Sequence, residues 1–387
     1  MNTKAVIGCG FGDEGKGKVV SSLCSQAERP LVIRYSGGQQ AGHRVVLENG
    51  QSHIFSNFSS GSLQGADTYW SKFCTVDPVG VVNEMEALRD LGVGVKPWLY
   101  INADCPITTP YEKRFNRNME DYNKHGTCGV GVGQTYQREQ DHFSIKARDL
   151  LYKNVFVNKI ELLRKYYDPI HHPESVDIEI FMIACNQLMG WSNICIVDYP
   201  KLDDGEYSDI IFEGSQGLLL DESIGFFPHV TRGHTGTQNI LDIDLTPHGL
   251  KCVYPEIYLV TRAYQTRHGA GPMTNEEMIL NRIPDNPHEH NKDDGAQGVF
   301  RKTVLDVDLL KYAIESDEYI RECPTDRKTL VITCVDVLKE FVFTAYGRPF
   351  FFDDMSDFAR ALAGRLGFER YIMSASPVAG EWKEMSL

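Results

Sequence analysis

Residues 8–18 read GCGFGDEGKGK and directly follow the apolar run Ala5-Val6-Ile7. Residues 10–16 match G-x-x-x-x-G-K, a loop whose backbone N–H groups and following helix hold phosphate oxygens. Lys16 would then place a positive charge at the outer phosphates. Residues 10–15 also match the dinucleotide pattern G-x-G-x-x-G. Against that second reading, Asp13 and Glu14 would face a pyrophosphate with no metal between them, and a second lysine follows at Lys18. Gly17 stands where a phosphate loop usually carries the Ser or Thr that binds magnesium, which makes Asp13 the nearest replacement ligand. A glycine-rich turn without chemistry is the third alternative.

A second loop, SGGQQAGH at residues 36–43, follows the apolar run 30–35. His43 at such a position is placed for proton transfer, since an unperturbed imidazole titrates near pH 6.5. A lone histidine is more often a buried structural group. Its pairing with Asp13 at another loop favours the catalytic reading.

These loops need a scaffold that brings strand ends together. Apolar runs at residues 4–8, 30–35, 98–102, 209–213, 256–263 and 329–335 each lead into a glycine-rich or polar loop. Helical periodicity covers residues 17–27, 78–91, 159–167, 178–188 and 305–315. Continuous apolar strands with such loops predict an α/β fold, a central and mainly parallel sheet flanked by helices, with ligands at the carboxyl ends of the strands. No linker composition interrupts the chain, so residues 1–387 are expected to form a single domain. Residues 281–298, rich in proline, histidine, acids and amides, are expected to be a mobile active-site loop.

The 42% apolar composition supports a sizeable core. The net charge of −14 argues against a broad nucleic-acid-binding face. No apolar window is long enough for a membrane span, and the N-terminus enters a strand without room for a signal peptide. Ten scattered cysteines, none in a C-x-x-C pair, read as reduced and mostly buried thiols of a cytoplasmic protein.

The loops together resemble the adenylosuccinate synthetase family. Residues 12–18 reproduce the end of its G-x-Q-W-G-D-E-G-K-G-K loop, and residues 37–43 its G-G-x-N-A-G-H loop, with Gln40 for Asn. Similar segments recur in order at residues 126–131, 212–221, 228–231, 263–272, 335–338 and 374–377. The resemblance implies a ligase that uses magnesium, a purine monophosphate, L-aspartate and a nucleoside triphosphate, working as a homodimer. Asp13 would take the N1 proton of a 6-oxopurine, whose O6 is phosphorylated and then displaced by the aspartate amine. His43 would act as general acid and Lys16 would offset charge at the phosphates; Asp13 and the Gly42 carbonyl would hold magnesium. The acceptor nucleotide would meet Asp13, Gln40, Ala41, Thr127, Cys128, Gln216 and Thr231. The donor would meet Gly12, Gly15, Lys16, Gly17, Lys18, Gly42, His43, Asp336, Ser374, Ala375 and Ser376. Aspartate would meet Ala296, Gln297, Gly298, Val299 and Arg301, the last because a guanidinium grips a carboxylate at two points.

Three departures bear on substrate choice. The family's G-A-T-T-G loop with four arginines is replaced by Gly295-Ala296-Gln297-Gly298-Val299-Phe300-Arg301, so the arginine for a ribose 2′-OH is missing. The guanine-reading T-K-L-D is Thr333-Cys334-Val335-Asp336, without its lysine. The T-T-G-R-G loop carries Cys128 and Val130. These changes resemble the phage 2-aminoadenylosuccinate synthetase branch, which takes dGMP with ATP or dATP toward 2,6-diaminopurine. Some of that branch lack the catalytic aspartate, which this chain keeps. IMP with GTP is the alternative. The resemblance also implies a partner-subunit arginine at the acceptor phosphate; its position falls near His142 or Phe143, with Lys146 or Arg148 as substitutes.

Arg267 could serve aspartate or phosphate, or form an ordinary ion pair. His288 and His290 lack a third ligand at regular spacing, which disfavours a metal site there. An NAD-dependent oxidoreductase would need an acidic ribose ligand after the second strand, where Arg34-Tyr35-Ser36 stands instead. A GTPase-like switch would need Ser or Thr at position 17. A nucleotide-binding module without catalysis would not need Asp13, Lys16 and His43 together.

Overall fold

The structure, a computed structural model, describes residues 2–93, 97–123, 127–168, 176–200, 202, 206–246, 254–278, 283–289 and 298–387. Its first half runs β1 (Asn2–Gly8), α1 (Lys16–Ser25), β2 (Pro30–Arg34), β3 (His43–Val46), β4 (Ser52–Phe55), β5 (Asp67–Trp70), α2 (Pro78–Asp90), β6 (Leu99–Asn102), α3 (Pro110–Asn123), α4 (Val132–Gln140), α5 (Lys153–Tyr167), α6 (Ile178–Gly190) and β7 (Ile194–Val197). There follow β8 (Asp209–Gly217), α7 (Gln238–Asp242), β9 (Glu256–Arg262), β10 (Gln265–His268), β11 (Phe300–Thr303), β12 (Leu305–Asp306), α8 (Val307–Ser316), α9 (Glu318–Glu322), β13 (Lys328–Thr333), β14 (Phe341–Ala345), β15 (Arg348–Phe352), α10 (Met355–Leu366), β16 (Arg370–Met373) and β17 (Lys383–Ser386).

Ten strands form one sheet in the order β17-β16-β13-β9-β1-β8-β2-β5-β6-β7. Every neighbouring pair is parallel except β16–β17. All six expected apolar runs are strands of this sheet. Their unbroken apolar character follows from burial on both faces. Along β1, Ala5 and Ile7 enter one core with Leu31, Ile33, Phe212 and Leu259, while Val6 enters another with Val32, Ile211, Val260 and α1 residues Val19, Val20 and Leu23. Burying apolar side chains in this way contributes roughly 1.5–3 kcal/mol per Val, Leu, Ile or Phe.

Local signals place the helices. Asp77 caps α2 by accepting from the Val79 N–H, with Pro78 in the first turn. Helix α1 begins after Gly15, whose φ of 93° is accessible to glycine at little cost. Beside it, β8 bulges against β1: Val6 pairs with Glu213 but Gly8 pairs with Gly217, so four steps of β8 match two of β1. That bulge carries Ser215 and Gln216 out to the strand ends. Of the expected mobile loop, residues 283–289 are described and hold no helix or strand; residues 281–282 and 290–297 lie outside the described residues. Among the described residues, no helix is long and apolar enough to cross a membrane.

Candidate active site

The carboxyl ends of β1, β2, β8, β9, β13 and β16 open into one cavity of about 770 Å³. Asp13, Glu14, Gly15, Lys16, Gly17 and Lys18 line it from the first loop, Gln40, Ala41, Gly42 and His43 from the second, and Ser215 and Gln216 from the bulge. Thr127, Cys128, Thr231, Asp336, Ser374 and Ser376 complete the sequence-derived set on its wall. Gly12 and Ala375 stand outside that wall.

The first loop is built around Glu14. Its buried carboxylate accepts from the N–H groups of Gly10 (3.0 Å) and Gly12 (2.8 Å) and pairs with Lys16 Nζ at 2.6 Å. Burial opposes ionisation, yet Lys16 and the loop N–H groups hold the carboxyl below its usual range. Two N–H groups of the expected phosphate cradle are therefore engaged by Glu14, and Lys16 is held by the same side chain. A Cβ on Gly8 or Gly217 would come within 2.4 Å of that carboxylate, so both positions exclude a side chain.

Asp13 sits at φ 61°, a conformation strained for a residue with a side chain. Burial pushes its carboxyl above the ordinary range; Arg262 and Lys16 oppose the shift and Glu14 adds to it. Arg262, at the end of β9, donates from Nε to the Asp13 carbonyl at 2.5 Å and from Nη1 to Glu289 at 2.7 Å. It thereby ties the described part of the 283–289 segment to the first loop.

His43 Nδ1 lies 2.6 Å from Glu213 Oε1, and Nε2 lies 3.2 Å from the Ser215 carbonyl. Glu213 is fully buried at 0% exposure and also accepts from the Ser60 hydroxyl and, at 3.2 Å, the Ser60 N–H. Burial opposes its ionisation, but His43, the nearby Arg34 and Ser60 bring its carboxyl down to about 2. A fixed carboxylate behind a histidine aims the other ring nitrogen, the arrangement that positions a general acid.

Toward α3 and α4, Gln40 buries both polar atoms of its amide without a protein partner among the described residues. Buried amides are ordinarily satisfied, so this one, on the cavity wall, has hydrogen-bonding capacity to spare. The Thr127 hydroxyl donates to Asn116 on α3 and accepts from the Gly129 N–H, both at 3.0 Å. Cys128 lines the same wall.

On the other side, Lys18 Nζ donates to Ser374 Oγ (2.5 Å), the Ser376 carbonyl (2.5 Å) and the Glu381 carbonyl (2.8 Å). It braces the segment after β16 while itself lining the cavity. Burial brings its ammonium down to about 8. Cys334, at φ 56°, and Asp336 border the same region, and Asn286 Nδ2 lies 3.7 Å from Cys334 Sγ.

Among the described residues, no member of the expected aspartate set lines the cavity wall. Ala296 and Gln297 lie outside the described residues, and Gly298, Val299 and Arg301 do not line the wall. Arg301 pairs with Glu276 at 2.7 Å and donates to the carbonyls of Gly269 and Gly271. Arg267 lines the cavity instead, buried over the Phe11 ring at 4.3 Å, where burial and then Arg301 bring its guanidinium down to about 10. Lys146 and Arg148 both pair with Asp104 and stand away from the wall. Among the described residues, no cluster of three metal-ligating side chains occurs.

Sequence reading missed Glu213, Arg262, Arg232 and Asn116 in this site. Glu213 was visible as the end of an apolar run; the others carry no local pattern that marks them.

A family model for adenylosuccinate synthetase matches residues 5–346. The adenylosuccinate synthetase of Blochmanniella pennsylvanica is 30% identical over 350 residues, 87% of this chain and 78% of that protein. That of Legionella pneumophila (strain Paris) is 29% identical over 355 residues, 86% and 78% of the two chains. Among solved structures, the fully ligated adenylosuccinate synthetase of Plasmodium falciparum superimposes with a TM-score of 0.76 at 18% identity, covering 99% of each chain. Cyanophage S-2L succinoaminodeoxyadenylate synthetase, bound to dGMP and dATP, gives 0.65 at 14% identity, covering 99% of this chain and 95% of that one. At such identities these two structures speak for the fold. The family match and the shared length carry the assignment: this chain belongs to the adenylosuccinate synthetase family, carbon–nitrogen ligases of purine nucleotide synthesis.

Proposed function

We propose that this chain joins L-aspartate to C6 of dGMP at the expense of ATP or dATP, giving N6-succino-2-amino-2′-deoxyadenylate, with residues 1–387 acting as one catalytic domain. The observation that carries the choice of dGMP is the absence of residues 298–301 from the cavity wall. Arg301 is turned to Glu276 and two carbonyls, and Phe300 packs beneath Arg262 at 5.6 Å. No guanidinium of that segment stands ready for a ribose 2′-OH, and a site built around such a hydroxyl would penalise a deoxyribose. The cyanophage structure, solved with dGMP and dATP, shares the fold and supports the same direction.

In this reading Asp13 removes the N1 proton, and the shift of its carboxyl toward neutrality brings it nearer a working base. His43, aimed by Glu213, donates toward the O6 and phosphate region. Lys16 offsets phosphate charge once substrate competes with Glu14 for it. Asp13 and Gly42 both border the cavity, and among the described residues the Asp13 carboxylate makes no hydrogen bond or ion pair. A magnesium ion commonly takes one or two carboxylates plus substrate phosphates, so this pair fits one. When bound, it would neutralise charge on the transferring phosphoryl group.

IMP with GTP is the second reading, favoured by the names of the bacterial relatives. Phosphate release is the test, with aspartate and magnesium present and dGMP, GMP and IMP crossed with ATP, dATP and GTP. Turnover with dGMP and an adenine donor is expected. Turnover confined to IMP and GTP would refute the dGMP reading.

A further inference from the structure

Among the described residues, six other than glycine adopt a left-handed φ, and two of them, Asp13 at 61° and Cys334 at 56°, line the cavity. A side chain in that region is strained and persists only where its surroundings fix it. At Asp13 the fixing contacts come from two neighbouring strand ends. Arg262 at the end of β9 pairs in register with Thr333 at the end of β13. Arg262 Nε donates to the Asp13 carbonyl at 2.5 Å, and the Thr333 hydroxyl donates to the next carbonyl, that of Glu14, at 2.7 Å. Two consecutive peptide planes of the first loop are thus held, and with them the direction in which the Asp13 side chain leaves the backbone.

Arg262 is itself immobilised. Its guanidinium lies 5.6 Å from the centroids of both the Tyr264 and the Phe300 rings. Nη1 donates to the Tyr264 hydroxyl at 3.0 Å and to Glu289 Oε2 at 2.7 Å. Both members of the ion pair are largely buried, so solvent screens it little. A guanidinium suits this place because its donors are fixed in one plane. Nε serves one oxygen while Nη1 serves two others, and turning the group would break all three contacts. A lysine ammonium has no such fork.

We infer that Arg262 is a positioning residue for Asp13. Through the Asp13 carbonyl it locks the turn that presents the carboxylate to the cavity, and Glu289 orients Arg262 for that task. This role rests on the reading of Asp13 as the base for the acceptor. It requires no contact between Arg262 and substrate, although the guanidinium borders the cavity. Direct binding of a substrate anion by Arg262 would give a different kinetic pattern.

Steady-state kinetics of Arg262→Met, Arg262→Lys, Glu289→Gln, Asp13→Asn and the double variant Asp13→Asn/Arg262→Met distinguish the two, using whichever purine monophosphate the wild type turns over. Arg262→Met is expected to lower kcat by about 10²-fold, the loss typical of a reacting group displaced by a short distance. KM for acceptor, donor and aspartate should change little, which also reports correct folding. Arg262→Lys keeps the charge and loses the fork, so it should be nearly as slow. Glu289→Gln should lower kcat by about 3- to 10-fold, again without a KM effect. Asn tolerates a left-handed φ, so Asp13→Asn removes the carboxylate and leaves the turn. The double variant should be no slower than Asp13→Asn, because Arg262 acts only through Asp13; a merely structural role would multiply the two losses. A wild-type kcat in Arg262→Met, a loss confined to KM, full recovery in Arg262→Lys, or multiplied losses in the double variant overturns the role. The crystal structure of Arg262→Met reads the same positioning without turnover, and Asp13 is expected to leave its left-handed φ. Asp13→Asn at the wild-type rate refutes the reading of Asp13 as base, while an unmoved Asp13 in the Arg262→Met structure refutes the role of Arg262.

Discussion

Glu213 Oε1 lies 2.6 Å from His43 Nδ1, although the two residues are 170 positions apart. The carboxylate is fully buried and held at about 2 by its partners. Replacing it as Glu213→Gln keeps the shape and removes the charge that fixes the ring. We expect kcat to fall by about 10²-fold, inside the range a positioned general acid contributes, with KM for both nucleotides little changed. Glu213→Asp should recover part of the rate; a KM effect without a kcat effect would argue against positioning. The folded carboxyl lies below its ordinary value of 4.5, so its contribution to stability is present above pH 4.5 and is lost as pH falls through about 2. Acid denaturation of Glu213→Gln should therefore be flatter across that interval.

Lys18 holds the segment after β16 through three oxygens, and burial brings its ammonium down to about 8 from 10.5. Above pH 8 the neutral amine has two protons for three acceptors. We expect KM for the donor nucleotide to rise as pH passes 8, and Lys18→Met to abolish that dependence. For stability the sign is opposite. Between about 8 and 10.5 the unfolded chain binds a proton that the folded one does not, so the cost of burying this charge is relieved as pH rises. Donor KM and denaturation midpoints of wild type and Lys18→Met, each followed across pH 7–10, measure the two signs separately.

Glu112 of α3 and Arg138 of α4 are both fully buried and approach to 3.3 Å. Arg138 also pairs with Glu139 at 2.9 Å and donates to the Ile107 carbonyl at 3.0 Å. Removing one member of a buried pair typically costs about 3–5 kcal/mol because the other charge is left uncompensated. Glu139 remains in place, so Glu112→Gln should sit near the lower end, about 3 kcal/mol, read from urea denaturation. The same variant should raise KM for the acceptor more than for the donor, because α3 and α4 carry the wall with Asn116 and Thr127.

Local pattern determined a good part of this protein. The unbroken apolar runs of β1, β2, β6, β8, β9 and β13 announced a sheet buried on both faces, because only such burial tolerates strands without polar alternation. The glycine spacing around Asp13 and Lys16, and the loop bearing His43, marked the strand ends where chemistry would gather. Short strands such as β5, β7 and β16, and the polar helix α3, escaped because four residues or a weak apolar face carry little periodic signal. What only the tertiary structure decided is which charges meet. Glu14 turns back into its own loop, Glu213 reaches His43, Arg262 clamps the Asp13 carbonyl and Arg301 faces Glu276. Most of those pairings join residues far apart in the chain. They depend on the order in which ten strands assemble and on a bulge in β8, neither of which leaves a mark on the residues that finally touch.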